Sequence, residues 1–561
     1  MAWSRRAWLG AAAGAAFGAA LPGCTPEAGP LVGGWVGANV ERGHRWRDNN
    51  NNAKSGAWPE PAAQRRADVI VVGAGISGLA AARALVAFGI DDVRVFELED
   101  TAGGNSRGHA MGGLACPLGA HYLPVPGEQA IEVLALLDEL GLRRVEHGRA
   151  VYDERHLCHS PQERLFIAGH WRDGLLPPVD ALPAAQRDQT LAQYRRFSAA
   201  VEQVGAGHSF TIPTARAAWR PELDALDAVT FANWLDAQRL DASALRWYLD
   251  YCCRDDYGAG AAQVSAWAGL HYFASRHGFH APGDAVEERD GVLTWPEGNA
   301  WLSRRLAAPL GDRIASGTVA LRIAEERHEV VLDAWVERTQ RVERWRAKHV
   351  VLAVPLFITA RLLAAPGAAL QAAAAAMPHA PWLVANLQLA DALADRPGAP
   401  SSWDNVIYEP GPAGAMLGYV DAMHQSTRPV PGPTVLSAYW ALGGDNAAQL
   451  RAQRARLLNE PWQVWAGAVV QDLARAHPDL PSKLVRIDLM RYGHAMSIPV
   501  PGLRSSAALR ALAEPQRRVH HAHADLSAYS VFEEAMYHGA RAASQLRAAY
   551  RDRRARVTPA G

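Results

Sequence analysis

Residues 68–107 read DVIVVGAGISGLAAARALVAFGIDDVRVFELEDTAGGNSR, and the fold is decided there. Val69-Ile70-Val71-Val72 has the length and β-branched content of a buried parallel strand. It runs straight into Gly73-Ala74-Gly75-Ile76-Ser77-Gly78, then an Ala/Leu-rich helical segment from Leu79 to Phe88, then a second strand from Val93 to Leu98. Gly73 permits the tight turn off the strand, Gly75 lets backbone approach a pyrophosphate, and Gly78 lets the helix pack closely on the sheet. The helix N-terminus, with Ala74 and Ser77 beside it, offers unpaired N–H groups and a positive dipole end to phosphates. Glu97, nineteen positions after Gly78, can accept hydrogen bonds from ribose hydroxyls. A lone GxGxxG is weak, but strand, turn, helix, strand and acid in order predict a dinucleotide site.

The tail of the unit, Gly103-Gly104-Asn105-Ser106-Arg107, adds a second glycine pair after the acid. Here the chain resembles the flavin-containing amine oxidase superfamily, which implies FAD rather than NAD. The resemblance predicts an α/β fold: a Rossmann-type FAD-binding domain assembled from discontinuous segments, with a second, α+β substrate domain. It places the Gly103-Gly104 turn over the cofactor, with Asn105 beside it and Arg107 supplying charge. It also implies that Gly119-Ala120 backbone lies against the flavin ring, with His121 and Tyr122 projecting towards substrate. A solvent-facing His beside a core Tyr is the plainer alternative for that pair. Val319 matches the valine that meets the adenine through its backbone. The closing motif follows, from Arg518 to Asp525 and then from Ser530 to Ala543. In it Asp525 would meet the pyrophosphate or ribityl hydroxyls, and Val531 and Phe532 would present N–H groups to the flavin.

The 561 residues exceed one ordinary core. The expected division is a leader over 1–24 and a tether, or an irregular surface wrap, over 25–67. Trp35, Trp46 and Trp58 point to packing of part of that stretch against the body. An FAD-binding domain follows over 68–126, 290–360 and 485–550, with a substrate domain over 127–289 and 361–484. Formal net charge is zero and arginines are spread along the chain, so nothing points to nucleic acid. The cysteines Cys24, Cys116, Cys158, Cys252 and Cys253 show no metal-ligand spacing, and no metal is expected. Ser4-Arg5-Arg6-Ala7-Trp8-Leu9 before a mildly apolar run reads as a twin-arginine export signal. Leu21-Pro22-Gly23-Cys24 resembles a lipoprotein box, so membrane contact is expected only through a lipid anchor at Cys24. Ordinary cleavage there would instead leave a soluble periplasmic protein.

Three departures from the resemblance bear on chemistry. Thr101 and Asn105 stand where amine oxidases carry arginines. The strand Trp382-Leu383-Val384-Ala385-Asn386-Leu387 lacks the lysine that many members hold near flavin N5, and only Lys54, Lys348 and Lys483 occur in the chain. Val531 replaces an aromatic cage residue, whose role Tyr529, Tyr492 or Trp440 could fill. Arg254-Asp255-Asp256 could bind a cationic substrate or tie helices together, and the second reading is favoured. His494, at a strand end before a proline-rich loop, is the leading catalytic candidate. The expected activity is hydride transfer from a small amine or polyamine to flavin N5, with the electron acceptor open. Two alternatives remain: desaturation or isomerisation of an apolar substrate with a non-oxygen acceptor, and a non-catalytic flavin-binding protein.

Overall fold

Val69, Ile70 and Val71 are fully buried because their strand lies inside a parallel sheet covered on both faces. The computed structural model describes residues 31–51, 58–206, 209–276, 278–281, 291–409, 416–426 and 428–557. Arg5, Arg6 and Cys24 of the leader lie outside them. Ile314–Ala315, Val93–Phe96, Ala63–Val72 and Arg341–Leu352 run parallel in that order, and Val519–His521 joins the last. An antiparallel pair, Thr318–Glu325 and Val330–Val336, extends the sheet. Segments far apart in sequence therefore build one α/β nucleotide-binding unit, as expected.

The closing helix, Phe532–Val557, packs on the first helix, Ile76–Ala87. Their approach is set by Gly539, where an added Cβ would lie 2.2 Å from the Ser77 carbonyl oxygen. Gly539→Val should push the helices apart and lower the unfolding free energy by about 2–3 kcal/mol or more, as overpacked contacts do. A thermal melt within a degree of the parent's would refute this.

A second, eight-stranded sheet builds the other domain. Its order is Gly33–Trp35, Leu484–Ser497, His379–Leu389, Thr434–Ala441, Met416–Asp421, Asp404–Ile407, Glu163–Ile167 and His170–Asp173. Alternate side chains of its central strands feed two cores. Trp382, Val384 and Tyr439 face the helical layer that includes Ser243–Tyr257 and Ala266–Ala274, whereas Leu383, Ala385 and Trp440 face Trp462–Ala474.

Two expected boundaries need correction. Leu484–Ser497 belongs to this second sheet, paired antiparallel with His379–Leu389, not to the FAD-binding segment 485–550. Its inward residues Ile487 and Leu489 are fully buried there. The stretch 25–67 is also more than a tether within its described residues. Gly33–Trp35 is an edge strand, Val40–Asn51 a helix, and Ala63 already begins the central strand. The helix carries no apolar stripe (VERGHRWRDNNN), so periodicity could not reveal it.

Candidate active site

A cavity of about 660 Å³ draws its walls from both sheets. At one end it is lined by Gly73, Gly75, Ser77, Glu97, Gly103, Gly104 and Val319. Gly75 caps the first helix without any side-chain hydrogen bond, so the opening N–H groups of that helix remain available to a ligand. Gly73 holds φ +96°, and a Cβ on it would lie 2.7 Å from the Ala353 carbonyl oxygen. Gly104 passes Gly75 so closely that a Cβ would stand 3.0 Å from the Gly75 Cα. Ala74 and Gly78 act from behind. The Ala74 N–H donates to Glu97 Oε2 at 2.8 Å, and a Cβ on Gly78 would strike the Gly73 carbonyl oxygen at 1.9 Å.

Glu97 is buried, and burial raises its pKa against the hydrogen bonds it accepts. Its oxygens take the Ala74 N–H and, at 2.9 Å, the Glu99 N–H. Each retains acceptor capacity on the cavity side, suited to hydroxyl donors. A glycine cradle, an open helix N-terminus and a buried acceptor pair fit a dinucleotide.

Farther along, Gly119, Ala120, Asn105, Asp525, Val531 and Phe532 line the wall. A Cβ on Gly119 would sit 2.3 Å from the Asn105 carbonyl oxygen, and the Asn105 side chain donates to the Ala495 carbonyl at 2.8 Å. Asp525, fully buried, accepts the Leu356 N–H at 2.9 Å and lies 3.1 Å from His379 Nε2. Arg107 is a correction. It lines a smaller pocket, not this cavity, because its guanidinium donates to the carbonyls of Gly37 (2.6 Å) and Gly104 (3.0 Å). It braces the glycine turn from outside.

The far end is aromatic and acidic. His121 stacks on Tyr439 with ring centroids 4.3 Å apart, and Tyr122 meets His121 edge-on at 4.8 Å. Burial pushes His121 down to about 3, so the imidazole is a neutral wall. Asp255 and Asp256 reach this wall from the helix Ser243–Tyr257, and Arg276 from beyond Ala266–Ala274. Asp256 is locked: Arg276 lies 3.0 Å away and the Tyr529 hydroxyl donates to it at 2.7 Å. Asp255 accepts no hydrogen bond and forms no ion pair among the described residues. Burial and the neighbouring Asp256 raise it to about 7. Glu533, 5% exposed, also lines the cavity and is raised by burial to about 7.

The Arg254-Asp255-Asp256 run therefore divides by position. Arg254 pairs with Asp250 at 3.0 Å and Asp256 ties helices together, while Asp255 faces the cavity. The proposed cage residues divide too. Tyr492 lines the cavity, its hydroxyl donating to the Leu118 carbonyl at 2.9 Å. Tyr529 lies behind the wall on Asp256. Trp440 points to the opposite face of its strand, against Trp465, and its neighbour Tyr439 takes the inner place. Sequence reading missed Tyr439, because both faces of its strand are buried. His494 lines the cavity beside Phe357, centroids 4.5 Å apart, without a hydrogen bond among the described residues. Burial and the Arg454 charge hold it down to about 3. Among the described residues no lysine lines the cavity, and Lys348 and Lys483 pair with Asp68 and Asp479.

Comparison with known proteins places this geometry. The family described as flavin containing amine oxidoreductases matches residues 76–547. The L-amino acid dehydrogenase of Synechocystis is 25% identical over 300 residues, 53% of this chain and 58% of that protein. Putrescine oxidase of Kocuria rosea is 31% identical over 181 residues, 32% of each chain. The chain thus spans little more than half of one curated relative and about a third of the other. Cyclohexylamine oxidase from Brevibacterium oxydans superposes with TM-score 0.61 at 21% identity, covering 86% of this chain and 99% of its own.

Proposed function

The chain belongs to the flavin-containing amine oxidoreductase family, and from that premise we propose that it oxidises a small cationic amine or polyamine. FAD is its cofactor, and Gly73–Gly78, Glu97 and Gly103-Gly104 would hold the dinucleotide. When bound, the flavin supplies a two-electron acceptor for a substrate C–H hydride. The protein's part is to seat, deprotonate and enclose the amine. The observation that carries the reading is Asp255, a carboxyl with no partner on the cavity wall, beside the His121–Tyr439 stack.

As a carboxylate Asp255 draws in the ammonium, and aromatic faces stabilise the same cation. With its pKa near 7, Asp255 can then take the ammonium proton at its carboxylate oxygen, leaving the neutral lone pair that oxidation requires. Asp256, fixed by Arg276 and Tyr529, sits next to Asp255 and its charge helps to keep the Asp255 pKa raised. His121 and His494 stay neutral and add no competing positive charge.

The lack of a lysine on the strand segment 382–387 and among the described lining residues supports electron delivery to a carrier other than dioxygen. Anaerobic addition of a panel of small amines, polyamines and amino acids to the purified protein should bleach its flavin absorbance. A soluble quinone should then restore the absorbance at least tenfold faster than air. Bleaching by none of the amines would overturn the amine reading, and fast recolouring in air would overturn the acceptor reading.

The leader supports an exported enzyme, periplasmic and either soluble or lipid-anchored at Cys24. Replacing Arg5-Arg6 by two lysines should then retain the flavoprotein in the cytoplasm, measured by cell fractionation. Unchanged periplasmic yield would count against the twin-arginine route.

A further inference from the structure

Residues 33–51 precede the stretch that matches the family, yet four of them, Gly43, His44, Trp46 and Arg47, line the main cavity. They sit at the end that also holds Glu97, Thr318 and Val319. We propose that this N-terminal arm is part of the cofactor site, a clasp over the adenosine end of FAD that governs how long the dinucleotide stays bound.

Its anchors are spread over both domains. Gly33–Trp35 lies parallel on Ile487–Leu489 of the second sheet, with the Val36 N–H donating to the Leu489 carbonyl at 2.8 Å. The Asn39 N–H donates to the Glu99 carboxylate, 3.0 Å to its nearer oxygen, and the Asn39 side chain caps the arm helix by accepting the Arg42 N–H at 2.9 Å. Arg107 ties the arm's Gly37 carbonyl to that of Gly104 in the cradle. Arg42, 8% exposed, is the hub. Its guanidinium donates to the Leu98 carbonyl and to Asp100 at 3.0 Å, gripping the segment that continues from Glu97.

These bonds hold Trp46, 5% exposed, against the cavity. Its indole N–H points to the Leu321 carbonyl at 3.4 Å, and its ring packs in the cluster that holds Val319 and Leu362. An indole face at that position suits a purine, which every dinucleotide of this class carries. Loop and arm are coupled: moving residues 97–107 strains Asn39, Arg42 and Gly37 together. Release of FAD from this end requires these bonds to break together.

The test compares full-length holoprotein with Arg42→Ala and Trp46→Ala variants, following free-flavin fluorescence after dilution. Each variant should release FAD at least tenfold faster, with far-ultraviolet circular dichroism unchanged. Release within twofold of the parent in both variants would overturn the clasp. Should the variants fail to fold, hydrogen–deuterium exchange of the unmodified chain decides. Amides of 40–51 should gain protection on adding FAD to the apoprotein, alongside those of 73–78. Protection of 73–78 with none in 40–51 would also sink the proposal.

Discussion

Glu97→Gln should yield a folded protein that purifies without its yellow colour. Two backbone donors, the N–H groups of Ala74 and Glu99, converge on the two carboxylate oxygens at 2.8 and 2.9 Å. A glutamine offers one oxygen and one NH₂, so one buried N–H faces another donor. Leaving such a donor unsatisfied costs about 1–3 kcal/mol. The loss falls on the turn that presents Gly73 and Gly75 to the phosphates and on the acceptor facing the ribose. With both effects, flavin affinity should fall by about two orders of magnitude, on the order of 3 kcal/mol. The ratio of visible to ultraviolet absorbance after gel filtration measures it. A variant retaining parental flavin content would show that Glu97 merely shapes the turn.

What the sequence made readable follows a physical divide. Short-range constraints announce themselves: the glycine turn, the acid after the second strand and the closing helix each need particular residues at fixed spacing. The sheet strand Thr434–Ala441 was readable as a strand from its Thr, Val, Tyr and Trp content. Whether Tyr439 or Trp440 faced the cavity was not, since both faces of that strand are buried. A strand buried on both sides has no polar face to give its orientation away. The Arg254-Asp255-Asp256 run met the same obstacle in another form. Which acid stays unpaired depends on Arg276 and Tyr529, residues 20 and 273 positions from Asp256. The arm helix was hidden for a third reason: it is held by hydrogen bonds and ion pairs to distant loops, and such contacts leave no periodic trace. Arg107 was expected to supply charge beside its glycine pair, and the arm gives its guanidinium the Gly37 carbonyl as a partner instead.

Asp255→Asn should be the most damaging change to turnover that leaves the cofactor untouched. Asp255 is absent from the glycine cradle, so flavin content should match the parent. Removing one partner of a poorly solvated ion pair costs about 3–5 kcal/mol, which predicts at least a hundredfold loss in kcat/KM for a cationic amine. The pH dependence separates charge from shape. With the carboxyl raised to about 7, the parent gains its carboxylate as pH rises through that value, and kcat/KM for a cation should rise with it. Asparagine cannot ionise, so the variant's profile should be flat through the same window. Stability runs the opposite way. Asp255 and Glu533, both raised to about 7, keep protons that the unfolded chain has already released. Unfolding free energy of the substrate-free protein should therefore fall as pH climbs from about 4 towards 7, because the folded state binds more protons there. A cationic amine would offset that loss by neutralising the new charge, so its thermal stabilisation should grow with pH in the parent and stay constant in Asp255→Asn. Equal, pH-independent stabilisation of both proteins would mean that the substrate cation is seated elsewhere in the cavity.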